Sequence, residues 1–551
     1  MKIKFILFAL TAIISVFSLS AAAQTYAITN ARIVTVSGAP VESGTIVVRD
    51  GLIESIGANA KAPADAQIFN GSGLTVYPGF FDALTSLGMA AAPAPRPPGG
   101  GQGAAQAQAA QTAAQTVSNS NYPNGLRPEE SAANQLKAGE AQFETNRNAG
   151  FTTVLTVGRD GIFNGQSAII NLAGENVSAM IVKSPFAEHF SFNTVRGGYP
   201  ASLLGTFSAL RQMFYDAQRL QEMQKMYAAN PLGMRRPDDD KSLEALIPVL
   251  NGQMPIVFNA NRENEIVRAL DLAKEFKLRA IIAGGQEAGR VAIRLKEQNV
   301  PVLLSLNFPK RTAAASSEAD PETMEVLRLR AETPKTAARL QQAGVKFAFQ
   351  SGGMTSINDF YTNAGKAVEN GLAKDAAVRA MTLNAAEILG VENRLGSLEK
   401  GKIANLTVVR GDILGKEKTI THVFVDGKLF EQKEKPKTPT PAAGGTAPAS
   451  ALATVGGNYN ITIDIPGQPL TGTLALTQQS ALLSGSMQTQ FGTSPIKDGK
   501  VTAEGFSFSA NVEFGGSQIE IFVKGTVTGN QISGTIDSPQ GAVPFSGTKN
   551  P

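Results

Sequence analysis

The middle of the chain alternates between short apolar runs and amphipathic stretches. Four runs are almost entirely apolar: residues 255–259, 279–283, 300–306 and 345–349. Between the first two, apolar side chains recur at helical spacing, at Ile266, Ala269, Leu270, Ala273 and Phe276. Strand–helix units of roughly 20 residues predict a parallel sheet covered by helices. This local pattern is compatible with a (β/α)8 barrel and with a doubly wound open sheet.

Short strands of antiparallel type are predicted on both sides of this region. Residues 24–76 contain apolar or alternating runs and a hairpin signal at Arg49-Asp50-Gly51. Residues 390–430 contain two more such runs, at 403–409 and 422–428. The first segment is too small to close a core by itself, so it needs a partner sheet.

The C-terminal segment, residues 454–551, follows another pattern. Its apolar positions alternate with a period of two, and Gly-containing turns separate its strands at short intervals. This pattern predicts a separate all-β sandwich or small barrel. The segment contains no histidine and no cysteine, so we expect a binding or docking face from it rather than catalysis.

Three segments are predicted to lie outside the packed domains. Residues 1–23 resemble a secretory signal peptide, with Lys2 and Lys4 before an apolar run and three alanines before Gln24. The run is shorter than the roughly 20 residues of a membrane-spanning helix, so we expect cleavage and no integral membrane segment afterwards. Residues 90–121, rich in Ala, Gln, Pro and Gly, are predicted to be a disordered insertion, and residues 431–453 a linker.

The amino-acid composition limits the cellular compartments and the classes of partner that fit this protein. The chain has no cysteine, which excludes disulfides, thiolate metal sites, cysteine nucleophiles and a lipoprotein anchor. Removal of Lys2 and Lys4 lowers the formal net charge from +4 to +2, so we expect no nucleic-acid partner. A large exported protein without disulfides fits the bacterial periplasm or the culture medium.

Three strings resemble the amidohydrolase superfamily, in its imidazolonepropionase-like branch. The start of that family's first barrel strand resembles residues 76–82 (VYPGFFD). Its last barrel helix and the return to the terminal sheet resemble residues 380–390 (AMTLNAAEILG) and 396–406 (GSLEKGKIANL). The resemblance implies an α/β fold, with a (β/α)8 TIM barrel at residues 77–389. It also implies a composite β-sandwich from residues 24–76 and 390–430.

Members of this family hydrolyse C–N and related bonds with water bound to zinc or another divalent metal. The resemblance places the metal ligands, four histidines and an aspartate, at positions that here hold Leu84, Ser86, Asn259, Gly284 and, for the aspartate, Gly352 or a residue next to it. Leucine and glycine offer no ligand atom, and a neutral hydroxyl or amide is a poor match for zinc. We therefore expect no metal cofactor. The family's fourth-strand lysine has no secure counterpart, and Lys183 is the nearest candidate.

Other catalytic groups are sparse. The two histidines, His189 and His422, are predicted to pack in different layers, which does not make a zinc site. Carboxylates near predicted strand ends could support metal-free acid–base chemistry. These are Asp82, Glu263, Glu287 and Asp359. Glu263 and Glu287, however, begin predicted helices, where the helix dipole favours acidic residues.

Polar side chains are predicted to surround the barrel mouth: Asn259, Asn261, Arg262, Ser305, Asn307, Lys310 and Gln350. Arg262 and Lys310 could hold an anionic group. The leading hypothesis is a non-catalytic protein that binds a small molecule, an intact amidohydrolase relative or a second copy of itself. The alternatives are an active C–N bond hydrolase with a non-standard or metal-free site, and a surface-attachment module formed by residues 454–551.

Overall fold

The computed structural model describes most of the chain in two compact units, Met1–Pro436 and Lys437–Pro551. The described residues are 24–89, 122, 125–139, 141–159, 161–174, 176–194, 199–311, 322–354, 356–415, 417–431, 452–463, 470–490, 492–502, 505–514, 517–538 and 541–550. The predicted signal peptide, the insertion at 90–121 and almost all of the predicted linker therefore lie outside the described residues.

The first unit is a mixed α/β structure. Its strands are β1 (Tyr26–Ile33), β2 (Val41–Arg49), β3 (Leu52–Gly57), β4 (Gln67–Asn70), β5 (Leu74–Pro78), β6 (Phe80–Thr85), β7 (Phe151–Thr156), β8 (Phe163–Gln166), β9 (Ala168–Asn171), β10 (Ile181–Lys183), β11 (Glu188–Ser191), β12 (Ile256–Ala260), β13 (Ala280–Gly284), β14 (Val302–Ser305), β15 (Phe347–Gln350), β16 (Leu406–Gly411), β17 (Lys418–Val425) and β18 (Lys428–Glu431). Its helices are α1 (Ala132–Gln135), α2 (Ala141–Asn148), α3 (Val177–Met180), α4 (Leu203–Ala229), α5 (Lys241–Leu250), α6 (Glu263–Phe276), α7 (Ala292–Glu297), α8 (Met324–Glu332), α9 (Thr336–Gln342), α10 (Asp359–Glu369), α11 (Lys374–Ala380) and α12 (Leu383–Leu389). Short 3-10 turns at Ala288–Arg290 and Thr333–Lys335 precede α7 and α9.

Both ends of the first unit build one sheet. Its strand order is β18-β17-β16-β5-β1-β2-β3, with β4 paired to β1. The two ends meet where β16 runs antiparallel to β5, with Val408 opposite Val76. Apolar side chains such as Ile33, Val76 and Phe424 are buried together against this sheet. Residues 24–76 and 390–430 thus share a single eight-stranded sheet.

The strands that position the site lie in two further sheets. One has the order β15-β14-β13-β12-β11-β8, with β11 to β15 parallel to their neighbours and β8 antiparallel to β11. The other has the order β10-β9-β7-β6, in which β6 and β7 are parallel. The four strands predicted from the apolar runs are β12 to β15, with small shifts at their ends. Parallel pairing brings the carboxyl ends of β11 to β15 to one side.

The space between these strands is filled by apolar side chains. Strand residues of this core include Phe81, Leu155, Val257, Ile281 and Leu303, and α12 adds Ala385 and Leu389. Helix α6 covers the outside, and the five apolar residues predicted on its inner face are all buried. Each fully buried Leu, Ile or Phe contributes about 1.5–3 kcal/mol relative to exposure. Burial of these side chains therefore stabilises the packing of α6 on the sheet.

The second unit is a closed antiparallel barrel. Its strands are β19 (Gly457–Ile463), β20 (Leu470–Gln479), β21 (Leu482–Thr489), β22 (Gly492–Val501), β23 (Phe506–Phe514), β24 (Ser517–Thr528), β25 (Gln531–Ser538) and β26 (Gly541–Lys549). Each strand pairs with the next along the chain, and β26 closes the ring on β19. Tyr459, Leu474 and Phe508 belong to its buried core. Of the two predicted alternatives, the barrel is confirmed and the sandwich is wrong.

Within the part of the chain that the structure describes, no helix has both the length and the apolar character needed to cross a bilayer.

Candidate functional site

A cavity of about 550 Å³ opens at the carboxyl ends of the parallel strands. The positions that the family resemblance assigned to metal ligands all line it: Leu84, Ser86, Asn259, Gly284 and Gly352. Five of the predicted mouth residues line it as well: Asn259, Asn261, Ser305, Asn307 and Gln350. Residues far apart in sequence meet here because they lie at or just beyond the carboxyl ends of β6, β12, β13, β14 and β15.

The first strand reaches the cavity with an irregularity. The register of β6 against β7 shifts between Asp82 and Thr85. Leu84, Thr85 and Ser86 all line the cavity as a result. Strict alternation would have placed only Leu84 and Ser86 on this side, and a local register shift interrupts that alternation.

A neutral hydrogen-bonded cluster surrounds Asn259. Its Nδ2 donates to Oδ1 of Asn164 at 3.1 Å and to Oγ of Ser191 at 2.9 Å. The Ser191 hydroxyl in turn donates to Oδ1 of Asn164 at 2.6 Å. Asn164 and Ser191 were missed by the sequence analysis, because β8 and β11 are short strands without a long apolar run. This part of the wall offers amide and hydroxyl groups that already bond one another.

Two glycines of the lining are in left-handed backbone conformation. Gly284 has φ of 91° and Gly352 has φ of 61°. A Cβ atom at Gly284 would lie 2.4 Å from Oδ1 of Asn261, and one at Gly352 would lie 2.1 Å from Oγ of Ser305. Neither position accepts a histidine or an aspartate without movement of a neighbour and a strained backbone. The side chains of Asn261 and Ser305 thus fill the space next to these glycines.

The two cations predicted at the mouth do not line the cavity. Arg262 is exposed and pairs with Glu325 at 3.6 Å, and Lys310 is exposed and pairs with Asp359 at 2.9 Å. The structure instead places Arg159 in the cavity wall. Among the described residues, Arg159 takes part in no ion pair and is the only charged side chain of the lining. In the sequence, Arg159 could have been found from its position, because it follows Gly158 just after the apolar run of β7.

Residues 254–430 match the amidohydrolase family. The fold resembles that of an amidohydrolase from Thermotoga maritima MSB8, with a TM-score of 0.60 and 25% identity over 74% of this chain and 100% of that one. Two other solved structures resemble the fold less closely, with TM-scores below 0.5, and carry no argument about function. These are a Xaa-Pro dipeptidase with bound methionine (0.41; 16% identity; 74% and 100% covered) and a zinc-bound adenosine deaminase from Xanthomonas campestris (0.39; 17%; 73% and 92%). No curated protein sequence matches.

Two of the four carboxylates predicted near strand ends, Glu263 and Glu287, share Arg290 as their ion-pair partner. Asp82 is 1% exposed, and burial raises its pKa to about 6 although the Ser351 N–H donates to its Oδ1 at 2.8 Å. Glu263 begins α6, and its N–H donates to Glu287 at 2.8 Å. Asp359 is held by Lys310, as described above. None of these four carboxylates lines the cavity.

The two histidines and Lys183, considered above as ligands, also lie elsewhere. Nε2 of His189 is 2.9 Å from Oγ of Ser167, and burial lowers the His189 pKa to about 3. His422 lies in β17, in the terminal sheet, with Nδ1 3.0 Å from Oγ1 of Thr421. Lys183 lines a different cavity, which shares no residue with this one. Lys183 therefore does not occupy the place of the family's fourth-strand lysine.

The donor set of the cavity does not fit the metal of the amidohydrolase family. Its described walls offer neutral amides, hydroxyls, backbone groups and one guanidinium, whereas zinc takes imidazole, thiolate or carboxylate ligands. Throughout the described ranges, no group of three or more His, Cys, Asp or Glu residues is placed to hold a metal ion. The described walls of this cavity can bind polar groups and an anion.

Proposed function

We propose that this is an exported protein with an amidohydrolase-type (β/α)8 barrel that binds a small polar carboxylate without metal-dependent hydrolysis. The amidohydrolase-family domain supports a hydrolase-type function. The finer assignment, a non-catalytic member of the imidazolonepropionase-like branch, is supported by the first-strand motif and the donor set. Export to the periplasm or medium rests on the signal-like residues 1–23.

The observation that carries this proposal is the content of one cavity. Leu84, Ser86, Asn259, Gly284 and Gly352 come together around it, and none carries imidazole or carboxylate. Loss of one ligand weakens a metal site, whereas these five residues together supply neither the imidazole nitrogens nor the carboxylate that would bind the ion.

The chemistry of the walls defines the ligand class. Arg159 has a planar guanidinium that can donate two parallel hydrogen bonds to a carboxylate. Asn261, Asn307 and Gln350 line the same cavity and carry amide groups, which suit a ligand rich in carbonyl and N–H groups. A short peptide or another N-acyl amino acid has this combination, and about 550 Å³ is within the usual range for a small-molecule site.

The test combines metal analysis with binding. In the purified mature protein we expect substoichiometric Zn, Mn, Fe and Ni, and calorimetric binding of short dipeptides without turnover of dipeptides, hydantoins or cyclic imides. Arg159→Gln should weaken dipeptide binding by about tenfold or more, because a charge-assisted hydrogen bond is lost. Arg262→Gln is the matched control, since Arg262 is exposed and pairs with Glu325 outside the cavity. Stoichiometric metal with metal-dependent turnover would refute the proposal.

A second candidate function is hydrolysis of a C–N bond by a metal-free site. The family match over residues 254–430 favours it, and the raised pKa of Asp82, about 6, suits a general base. Against it, Asp82 does not line the cavity. Turnover without added metal that is abolished in Asp82→Asn and kept in Arg262→Gln would establish this alternative.

An intact relative or a second copy remains a proposed partner, to be tested by sedimentation of the mature protein.

A further inference from the structure

A second cavity lies at the opposite end of the same strands. It measures about 490 Å³. Pro255 and Arg279, which directly precede β12 and β13, line it, whereas Asn259 and Gly284 near the ends of those strands line the cavity described above. The two cavities are thus separated by the length of the strands, and the described residues that line them do not overlap.

The floor of this amino-end cavity is apolar. Phe186 and Met254 are buried side chains at 4% and 6% exposure, and Ile388 and Leu389 come from the last turn of α12. Three prolines, at positions 185, 248 and 255, add further apolar surface. Such a floor can take the hydrocarbon body of a ligand out of water.

The charges of the cavity are not balanced. Its lining contains Lys183, Arg279 and Glu387. The carboxylate of Glu387 is already paired twice, with Lys346 at 2.7 Å and with Arg379 at 2.8 Å. Among the described residues, neither Lys183 nor Arg279 takes part in an ion pair. Within the described part of the chain, these two positive charges of the lining have no carboxylate paired with them.

The contacts of the two cations show how they are held. Nη1 of Arg279 donates to the backbone carbonyl of Gly252 at 3.1 Å, which leaves its other N–H groups available. Nζ of Lys183 lies 5.4 Å from the centroid of the Phe186 ring, so that ammonium sits directly beside the apolar floor. Both cations line this cavity, so two positive charges are available to an acidic group bound here, and the Phe186 ring lies beside one of them.

We propose that the amino-end cavity binds an organic anion with an apolar body. The acidic group lies between Lys183 and Arg279, and the body packs on Phe186 and Ile388. The site is independent of the proposed function at the carboxyl ends of the strands, because it shares no residue with that cavity.

The probe is anilinonaphthalene sulfonate, an aromatic anion whose fluorescence rises in apolar surroundings. The full mature chain should bind it saturably with a stoichiometry of one. The double variant Lys183→Met with Arg279→Met should weaken this binding by about tenfold or more, since two charge-assisted contacts are lost. The neutral analogue N-phenylnaphthylamine, which lacks the sulfonate, should bind the parent and the double variant alike.

The matched control is Arg262→Met with Lys310→Met, which removes the same charge from exposed residues at the other end of the strands. Arg279→Gln alone serves if the double variant does not fold, because Arg279 is exposed. The inference fails if no saturable binding is seen or if the parent and the Arg279→Gln variant bind equally well. It also fails if Arg159→Gln, rather than the amino-end variants, abolishes binding. Loss of dipeptide binding in Arg159→Gln bears only on the other cavity.

Discussion

The N–H of Ser351 donates a hydrogen bond of 2.8 Å to Oδ1 of Asp82, and these residues are 269 positions apart in the chain. The bond joins the end of β15 to β6, the edge strands of the two sheets that surround the cavity. Leu84 N–H adds a second, longer bond of 3.4 Å to the same oxygen. Asp82 is thus a buried carboxylate held by backbone amides. Its pKa therefore depends on the folded arrangement of β6 and β15.

Asp82 should make the first unit less stable as the pH rises from 3.8 to about 6. Burial raises its folded-state pKa from 3.8 to about 6, so the folded state binds this proton more tightly than the unfolded state. The associated loss of stability is at most about 3 kcal/mol at neutral pH. Urea unfolding followed by circular dichroism across this range should show a smaller loss in Asp82→Asn. A variant with the parent's pH dependence would contradict the assignment.

The Glu188→Gln variant should be more stable than the parent protein at alkaline pH. Neither of its buried carboxylate oxygens has a side-chain hydrogen-bond partner among the described residues, and the nearby backbone N–H of His189 offsets the burial only in part. Burial raises its pKa well above the usual 4.5, and the nearby Glu129 and Glu130 raise it further. Stability is therefore present below pH 4.5 and is lost as the pH rises toward the folded-state pKa.

The measurement is the thermal midpoint of Glu188→Gln and of the parent at acidic and alkaline pH. We expect near-equal midpoints at pH 4 and a higher midpoint for the variant at pH 8. The exposed Glu297 gives a control, since Glu297→Gln should follow the parent at both values. A variant less stable than the parent at alkaline pH would show that the carboxylate has a favourable partner.

His189 should stay neutral under conditions in which an ordinary histidine is protonated. Burial lowers its pKa to about 3 from 6.5, so the unfolded chain takes up a proton that the folded chain does not. This residue's contribution to stability is therefore lost as the pH falls from 6.5 toward 3. The chain has two histidines, so nitrogen NMR of the imidazoles separates them, with His422→Asn to assign the signals. Titration of the His189 ring near pH 6.5 would disprove the buried placement.

Gly352→Ala should destabilise the first unit by roughly 1–3 kcal/mol, the usual cost of a side chain at a strained backbone position. Two effects contribute: the φ of 61° and the approach of the new Cβ to Oγ of Ser305 at 2.1 Å. Ser305→Gly removes the second effect, together with the hydrogen bond of 3.1 Å that the Asn307 N–H donates to Oγ of Ser305. A double-mutant cycle by urea unfolding should show that Gly352→Ala costs less in the Ser305→Gly background. Additive effects would mean that the two positions do not meet.

Local periodicity in the sequence was sufficient to predict those helices and strands that are buried along their whole length. The strands β12 to β15 and the inner face of α6 were predicted correctly, because fully apolar strands and helical spacing appear directly in the sequence. The alternation of residues 454–551 likewise predicted an all-β unit. It did not choose between sandwich and barrel, since that depends on whether β26 pairs with β19.

The sequence by itself determined which residue types stand at the positions that the family resemblance assigns to metal ligands, because that assignment needs only the motif and the chain order. Only the tertiary structure decided which side chains share a cavity. Arg262 and Lys310 are turned to Glu325 and Asp359, while Arg159, Asn164 and Ser191 join the lining. These contacts link residues on different strands and helices, and their geometry depends on strand register and ion pairing, which no local pattern encodes.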